Sequence, residues 1–456
     1  MKILSVISFF FLSINLFCQG DLYSKGVIID SIWLDKKLEE SFAFYAPESY
    51  EASRPSPVIF IFDPMARGKT GIEPFILTAE TYGYVLICSN NSKNGPYDRN
   101  YAIATRLFNK ITSDLNINPK LFYTAGFSGG GRFASALAAN SDQIQGVVSC
   151  GAAYNMDSGN LPGTQMFSFA TIMGDEDMNY YELAFTDKYL DKISLSHEIF
   201  TFEINHRWPD DEHILMAFDW MQLEAYKKLL LPLDTSVVDR IYKKFYHQAK
   251  LKEERNDLLG SVAEYRRILN GFNRYYQLDS IREKVDRISQ SKNYGSQKKM
   301  NDSFLETEKN LTYDYLNRFG SDLEKKSYNP GWWNNRIEKL KKKQESKSKM
   351  EQKMYKRLLY RLYAHAIETV NYTDQIKTLE QRMFCYDLCI FIYPGNPVPY
   401  LRQIGIAMAL DKSDLALDYL EKLLDSGYEN RDYIMDNLPL QALRNNERFE
   451  KLMRQN

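Results

Sequence analysis

The sequence predicts an α/β fold with a mostly parallel, doubly wound sheet, followed by an all-α, repeat-like region. Three observations lead there. Between residues 25 and 231, short continuous apolar runs alternate with segments of helical apolar spacing, the pattern of buried parallel strands joined by crossover helices. Beyond Pro232 glycine becomes sparse, strand signals vanish and long, charged, tyrosine-rich helical runs take over. The 456 residues exceed one ordinary domain, so two or three units are expected.

Taken in order, residues 1–20 read as a secretory leader. Lys2 supplies the positive start, and residues 3–17 are almost wholly apolar but short for a bilayer span. Cleavage is expected between Cys18 and Asp21. Residues 15–17 lack the small side chains of a lipidation site, so an exported protein, periplasmic or secreted, is favoured over one anchored by lipid at Cys18. No other segment is long and apolar enough to span a membrane. Residues 21–231 form the expected α/β unit. Runs at 26–30 and 41–45 read as an antiparallel start, 57–62 and 84–88 as strands buried on both faces, and 72–82 and 101–115 as helices. Strands follow at 121–125, 145–150, 167–173 and 199–204, with a closing helix over 212–230.

Residues 232–370 are expected to be helical, with polar runs at 295–299 and 341–353 as loops or solvated helix faces. Residues 371–456 carry a repeat signal. Residues 386–394 look like the second helix of a tetratricopeptide repeat closed by Pro394. In the next unit Gly405 lies in the first helix, and Ala416, Leu420 and Leu423 share one face of the second.

Composition narrows the function classes. The charges nearly cancel, 58 basic against 59 acidic, which argues against a nucleic-acid binder held by bulk charge. After leader removal four cysteines remain. Cys88 and Cys150 sit in apolar strand runs as small buried hydrophobes, and Cys385 and Cys389 share a helix face where a disulfide would be strained. No metal-ligand spacing appears.

The chemistry gathers around residues 126–130, Gly-Phe-Ser-Gly-Gly, set between a strand-like and a helix-like run. A serine nucleophile needs a sharp strand-to-helix turn that lifts its hydroxyl out of the sheet. Gly126 and Gly130 allow the close approach that turn requires, and the helix N-terminus offers free N–H groups to a developing anion. Such a serine needs a base, and the base needs a carboxylate to orient it. Residues 171–178 end a strand in a turn holding Asp175, Glu176 and Asp177; Asp177 is the expected acid and the other two are its rivals. His206 follows the last strand and is the expected base. His197 and His213 are weaker candidates, and His247 and His365 belong to the helical half, where a lone histidine is ordinarily a packed or surface residue.

These motifs in this order resemble the α/β-hydrolase superfamily over roughly residues 23–230. Residues 45–50, Tyr-Ala-Pro-Glu-Ser-Tyr, look like a segment of its secreted polyhydroxybutyrate-depolymerase-like and feruloyl-esterase-like members, and Gly174-x-x-Asp177 resembles the acid turn of its esterase and dienelactone-hydrolase branches. The resemblance implies a serine hydrolase, an esterase first and a peptidase second, that uses Ser128, His206 and Asp177 on a small-molecule or polymer ester, without cofactor or metal. It implies an oxyanion hole from the N–H of Gly129 and one from the loop after residues 57–62. That loop has Asp63-Pro64 where many hydrolases have His-Gly. Proline cannot donate, so Met65 is the expected second donor, with Ala66 as the fallback. Arg67 is expected to bind a substrate carboxylate or to pair with Asp63 or another structural acid. Residues 151–165 are too short for a helical lid, so the C-terminal helices are expected to shape access to the serine. The alternative is an inactive hydrolase-fold scaffold whose helical repeats bind a protein partner.

Overall fold

The computed structural model describes residues 23–154, 159–372, 376, 378–436 and 438–454. The expected leader, with Cys18, lies outside them. The strands are β1 (Ile29–Asp35), β2 (Glu40–Tyr45), β3 (Ser56–Phe62), β4 (Val85–Ser89), β5 (Ile117–Phe127), β6 (Gly146–Cys150), β7 (Ser168–Gly174) and β8 (His197–Phe202). They form one sheet in the order β1-β2-β4-β3-β5-β6-β7-β8. The β1–β2 and β2–β4 pairs are antiparallel, and every later pair is parallel. The mostly parallel α/β class expected from the alternation is the class observed.

Side chains of β3 show why its run is apolar without a break. Val58, Phe60 and Phe62 enter one core, with α3 (Tyr97–Asp114), α4 (Gly129–Ala139) and α5 (Leu183–Lys192) behind it. Ile59 and Ile61 enter the other, which α1 (Gly68–Ile72), α2 (Ile76–Tyr82) and α6 (Asp211–Lys227) cover. Successive strand residues point to opposite faces, and here both faces are dry. The expected helix over 72–82 is divided: Glu73–Phe75 forms a 3-10 turn containing Pro74, because proline brings no N–H to an α-helical ladder. Helix α5 has no counterpart in the sequence reading. Only Leu183, Thr186 and Leu190 of its ten residues are buried, too faint a stripe to stand out.

The rest of the chain is helical: α7 (Thr235–Glu254), α8 (Leu258–Phe272), α9 (Asp279–Ser289), α10 (Lys292–Glu324), α11 (Pro330–Lys343), α12 (Lys349–Tyr372), α13 (Leu379–Ile392), α14 (Pro397–Ala409), α15 (Ser413–Asp425), α16 (Arg431–Asp436), α17 (Leu438–Gln441) and α18 (Glu447–Arg454). Side-chain N-caps set many of the starts: Asp234, Asp257, Ser291, Asn329, Thr378 and Asn396 each accept a first-turn N–H, a bond worth about 1 kcal/mol. The polar run 295–299 lies inside α10, and 341–353 divides between the end of α11, a turn and the start of α12.

The apolar interior does not stop at residue 231. Val238, Ile241 and Phe245 of α7 and Tyr265, Ile268 and Phe272 of α8 belong to the same buried cluster as Ile59 and Phe218. A further cluster joins α10–α13 around Phe319, Trp333 and Phe384, and another joins α13–α18. Ala416, Leu420 and Leu423 are fully buried on one face of α15, as their spacing predicts.

Candidate active site

The elbow is built by close approach. Ser128 joins β5 to α4 with φ 52° and ψ −121°, a conformation that costs a non-glycine residue about 1–3 kcal/mol and persists only where the surroundings impose it. Its N–H donates to the Cys150 carbonyl at 2.7 Å, and its carbonyl accepts from Arg132 N–H at 3.0 Å. A Cβ on Gly126 would lie 2.4 Å from the Gly130 carbonyl, and one on Gly130 would lie 2.0 Å from the Phe62 carbonyl oxygen. Both glycines are required by backbone contacts that cannot give way.

The structure brings Ser128, His206 and Asp177 together. His206 Nε2 lies 3.0 Å from Ser128 Oγ, and its Nδ1 lies 2.8 Å from Asp177 Oδ2. Both acid and imidazole are shielded, with side chains 1% and 8% exposed. The second Asp177 oxygen accepts Asn179 N–H at 2.8 Å, which fixes the carboxylate. Phe127, directly before the serine, stacks beside the imidazole at 4.7 Å. The two rival carboxylates are engaged elsewhere: Asp175 with Lys353 and Glu176 with Lys356. His197 pairs with Asp187, His213 lies against Phe202 and Asp210, and His247 is exposed.

The loop after β3 differs from expectation. The Met65 N–H, expected to be the second oxyanion donor, donates to Asp63 Oδ1 at 2.9 Å. The fallback, Ala66 N–H, donates to the Asp63 carbonyl at 3.0 Å. Asp63 folds back over its own loop as short acidic side chains do in turns, so neither N–H is free. Of the two roles considered for Arg67, the structure shows the pairing with Asp63, through two nitrogens at 3.0 and 2.8 Å. Trp208 Nε1 also donates to Asp63, at 2.9 Å. Burial pushes the Asp63 carboxyl up, but the bonds from Arg67, Trp208 and Met65 outweigh it and hold the group below the usual aspartate range. The Gly129 N–H lies in the first turn of α4, without an intrahelical acceptor.

A cavity of about 380 Å³ opens over Ser128 and Gly129. The loop at 92–95, Tyr97 and Asn100 line one side, and Arg361, Ala364, His365 and Glu368 of α12 line another. Helix α12 of the helical half therefore forms part of the wall of this cavity. His365, which reads from the sequence as a packed or surface residue, lines this space; burial and the adjacent Arg361 push its pKa below the usual histidine value. Helix α12 also holds the acid turn. Arg357 donates to the Asp175 carbonyl at 2.7 Å while paired with Glu308. Arg361 donates to the Met178 carbonyl at 3.2 Å and to Asn179 Oδ1 at 3.0 Å. Lys353, Arg357 and Arg361 are four residues apart, and Lys356 joins them on one helix face. That basic stripe is visible in the sequence; its target is not. Among the described residues no group of three or more His, Cys, Asp or Glu is placed to hold a metal ion, and no helix is long and apolar enough to cross a membrane.

The chain matches no protein-family model and no curated protein sequence. Solved structures do align with part of it. Thermogutta terrifontis esterase 2, phosphonylated by sarin, is 11% identical with a TM-score of 0.37 over 45% of this chain and 96% of that one. A substrate-bound, fluorophosphonate-binding serine hydrolase of Staphylococcus aureus is 16% identical, with a TM-score of 0.37 over 43% of this chain and 99% of that one. S-formylglutathione hydrolase of Staphylococcus aureus is 13% identical, with a TM-score of 0.35 over 44% and 99%.

Proposed function

We propose that this chain is an exported serine hydrolase acting on carboxylic esters through Ser128, His206 and Asp177. The observation that carries the reading is the unbroken contact from Ser128 Oγ to His206 Nε2 and from His206 Nδ1 to Asp177, at 3.0 and 2.8 Å. Asp177 accepts a hydrogen bond from Nδ1–H and so leaves the lone pair on Nε2 facing the serine. Ser128 Oγ attacks the ester carbonyl carbon as its proton passes to Nε2. The C–O bond to the alcohol then breaks, and the alcohol leaves with that proton. Water attacks the acyl-serine, gives a proton to Nε2, and releases the acid as the proton returns to Ser128. The Gly129 N–H faces the oxygen that becomes negative in both halves of the reaction.

Turnover of aryl, short-chain and carbohydrate-linked esters tests this reading. Ser128→Ala is expected to lose at least about 10⁴-fold in kcat, and Asp177→Asn to fall by roughly 10⁴-fold through loss of the correct tautomer. A folded wild-type protein inert across that panel, and toward peptide amides, would favour the scaffold reading. One observation speaks for that alternative: the loop after β3 spends both of its expected oxyanion donors internally. On the scaffold reading, the helices after residue 371 act as tetratricopeptide-like units that bind a protein partner. Export rests on the leader-like residues 1–20, and the mature N-terminus, read by mass spectrometry, checks it.

A further inference from the structure

We propose that the side-chain amide of Asn94 is the second oxyanion donor, a catalytic residue that replaces the engaged N–H of Met65. The inference rests on the assignment of Ser128 as nucleophile.

The donors expected from the loop after β3 are engaged: Pro64 lacks an N–H, and those of Met65 and Ala66 are taken by Asp63. The neighbouring loop, after β4, lies in the right place. Lys93 pairs with Met65 in an antiparallel bridge, and Asn94 N–H donates to the Pro64 carbonyl at 2.9 Å. The loop is pinned on its far side as well, since Ser92 N–H donates to Ser89 Oγ at 3.0 Å and Asn100 Nδ2 to the Lys93 carbonyl at 2.8 Å. This rigid strap carries the Asn94 side chain directly over Gly129. A Cβ on Gly129 would lie 1.9 Å from Asn94 Oδ1 and 3.1 Å from its Nδ2. Glycine at 129 leaves room for the amide in this position, where a larger side chain would have to push it aside. Asn94, Ser128 and Gly129 line the same cavity. Among the described residues, the Asn94 side chain has no hydrogen-bond partner. A half-turn about its Cβ–Cγ bond exchanges the two ends of the amide and brings Nδ2 to the place beside Gly129 that Oδ1 holds. A side-chain amide carried on a loop pinned from both sides can donate to the developing oxyanion.

The test compares full-length wild type, Asn94→Ala and the isosteric Asn94→Asp. Each is followed by p-nitrophenyl acetate kinetics and by affinity for phenylboronic acid, which forms a tetrahedral adduct on serine. Both variants are expected to lose roughly 10²- to 10³-fold in kcat with little change in KM, and a parallel loss in boronate affinity, because the bond is made only to the tetrahedral state. Against wild type at each pH, the Asn94→Asp deficit is expected to shrink as pH falls toward about 4, where a protonated acid regains a donor. Folded variants within about threefold of wild type in kcat and boronate affinity would overturn the assignment. Wild type inert to both reagents would instead overturn the serine-hydrolase reading beneath it, and the role of Asn94 with it.

Discussion

Asp63 decides which groups around the serine are free to act. It is fully buried, and it gathers Arg67, Trp208 and the Met65 N–H onto one carboxylate. Its role follows from that convergence: Trp208 stands two residues after His206, so Asp63 ties the base loop to the loop beneath the cavity. Replacing it removes the one acceptor that these partly buried donors share. Asp63→Ala is expected to lower unfolding free energy by about 3 kcal/mol at neutral pH. The sign of the pH dependence follows from the lowered pKa. A carboxyl depressed in the folded state stabilises above its unfolded value and loses that contribution as pH falls through the folded one. The gap between wild type and Asp63→Ala should therefore hold across pH 5–7 and narrow only below about pH 3.9; denaturant unfolding measured along that range checks it. At this scale the sequence was legible where chemistry dictates residue type. Serine between close-packed glycines, a carboxylate after one strand and a histidine after another all lie where expected. It was not legible where a side chain chooses between equal partners. Nothing in Asp63-Pro-Met-Ala tells whether the Met65 N–H faces a substrate or the neighbouring carboxylate.

Helix α12 is the element that joins the two halves at the site. Its basic stripe meets the acid turn residue by residue, using Asp175 and Glu176 as anchors and leaving Asp177 to the imidazole. This also explains why the turn is so rich in carboxylates: three acids in sequence serve two tasks. Surface ion pairs such as Lys356–Glu176 contribute little alone, but Arg357 and Arg361 bind backbone carbonyls of the turn and so fix its path. Arg361→Gln is expected to leave the fold intact and lower kcat by about ten- to a hundredfold, since small misplacements of a catalytic group are costly. A kcat within about twofold of wild type would show that the acid turn holds its own shape. From the sequence, the polar run 341–353 reads as a loop or a solvated helix face, and the basic positions that follow it at 356, 357 and 361 carry no signal of a partner. Helical periodicity reveals which residues share a face, but not what that face meets about 180 residues away.

For the whole molecule, the change of composition at residue 232 marks where strands end, not where a core ends. Helices α7 and α8 bury Phe245, Tyr265 and Phe272 in the cluster that backs the sheet, and α12 then returns to the mouth of the cavity. The alternation of elements was legible because parallel strands and crossover helices leave strong periodic signals. The docking of one half on the other was not, because it rests on contacts between positions far apart in sequence. The resulting cavity is lined by both halves, and everything proposed for it depends on Ser128 being an activated nucleophile. Covalent labelling tests that claim most directly. The full-length protein, treated with a fluorophosphonate and mapped by peptide mass spectrometry, should carry the adduct on Ser128, lose it in Ser128→Ala and acquire it far more slowly in His206→Ala. A folded protein that stays unmodified at Ser128, or is modified as fast without the imidazole, would contradict the account.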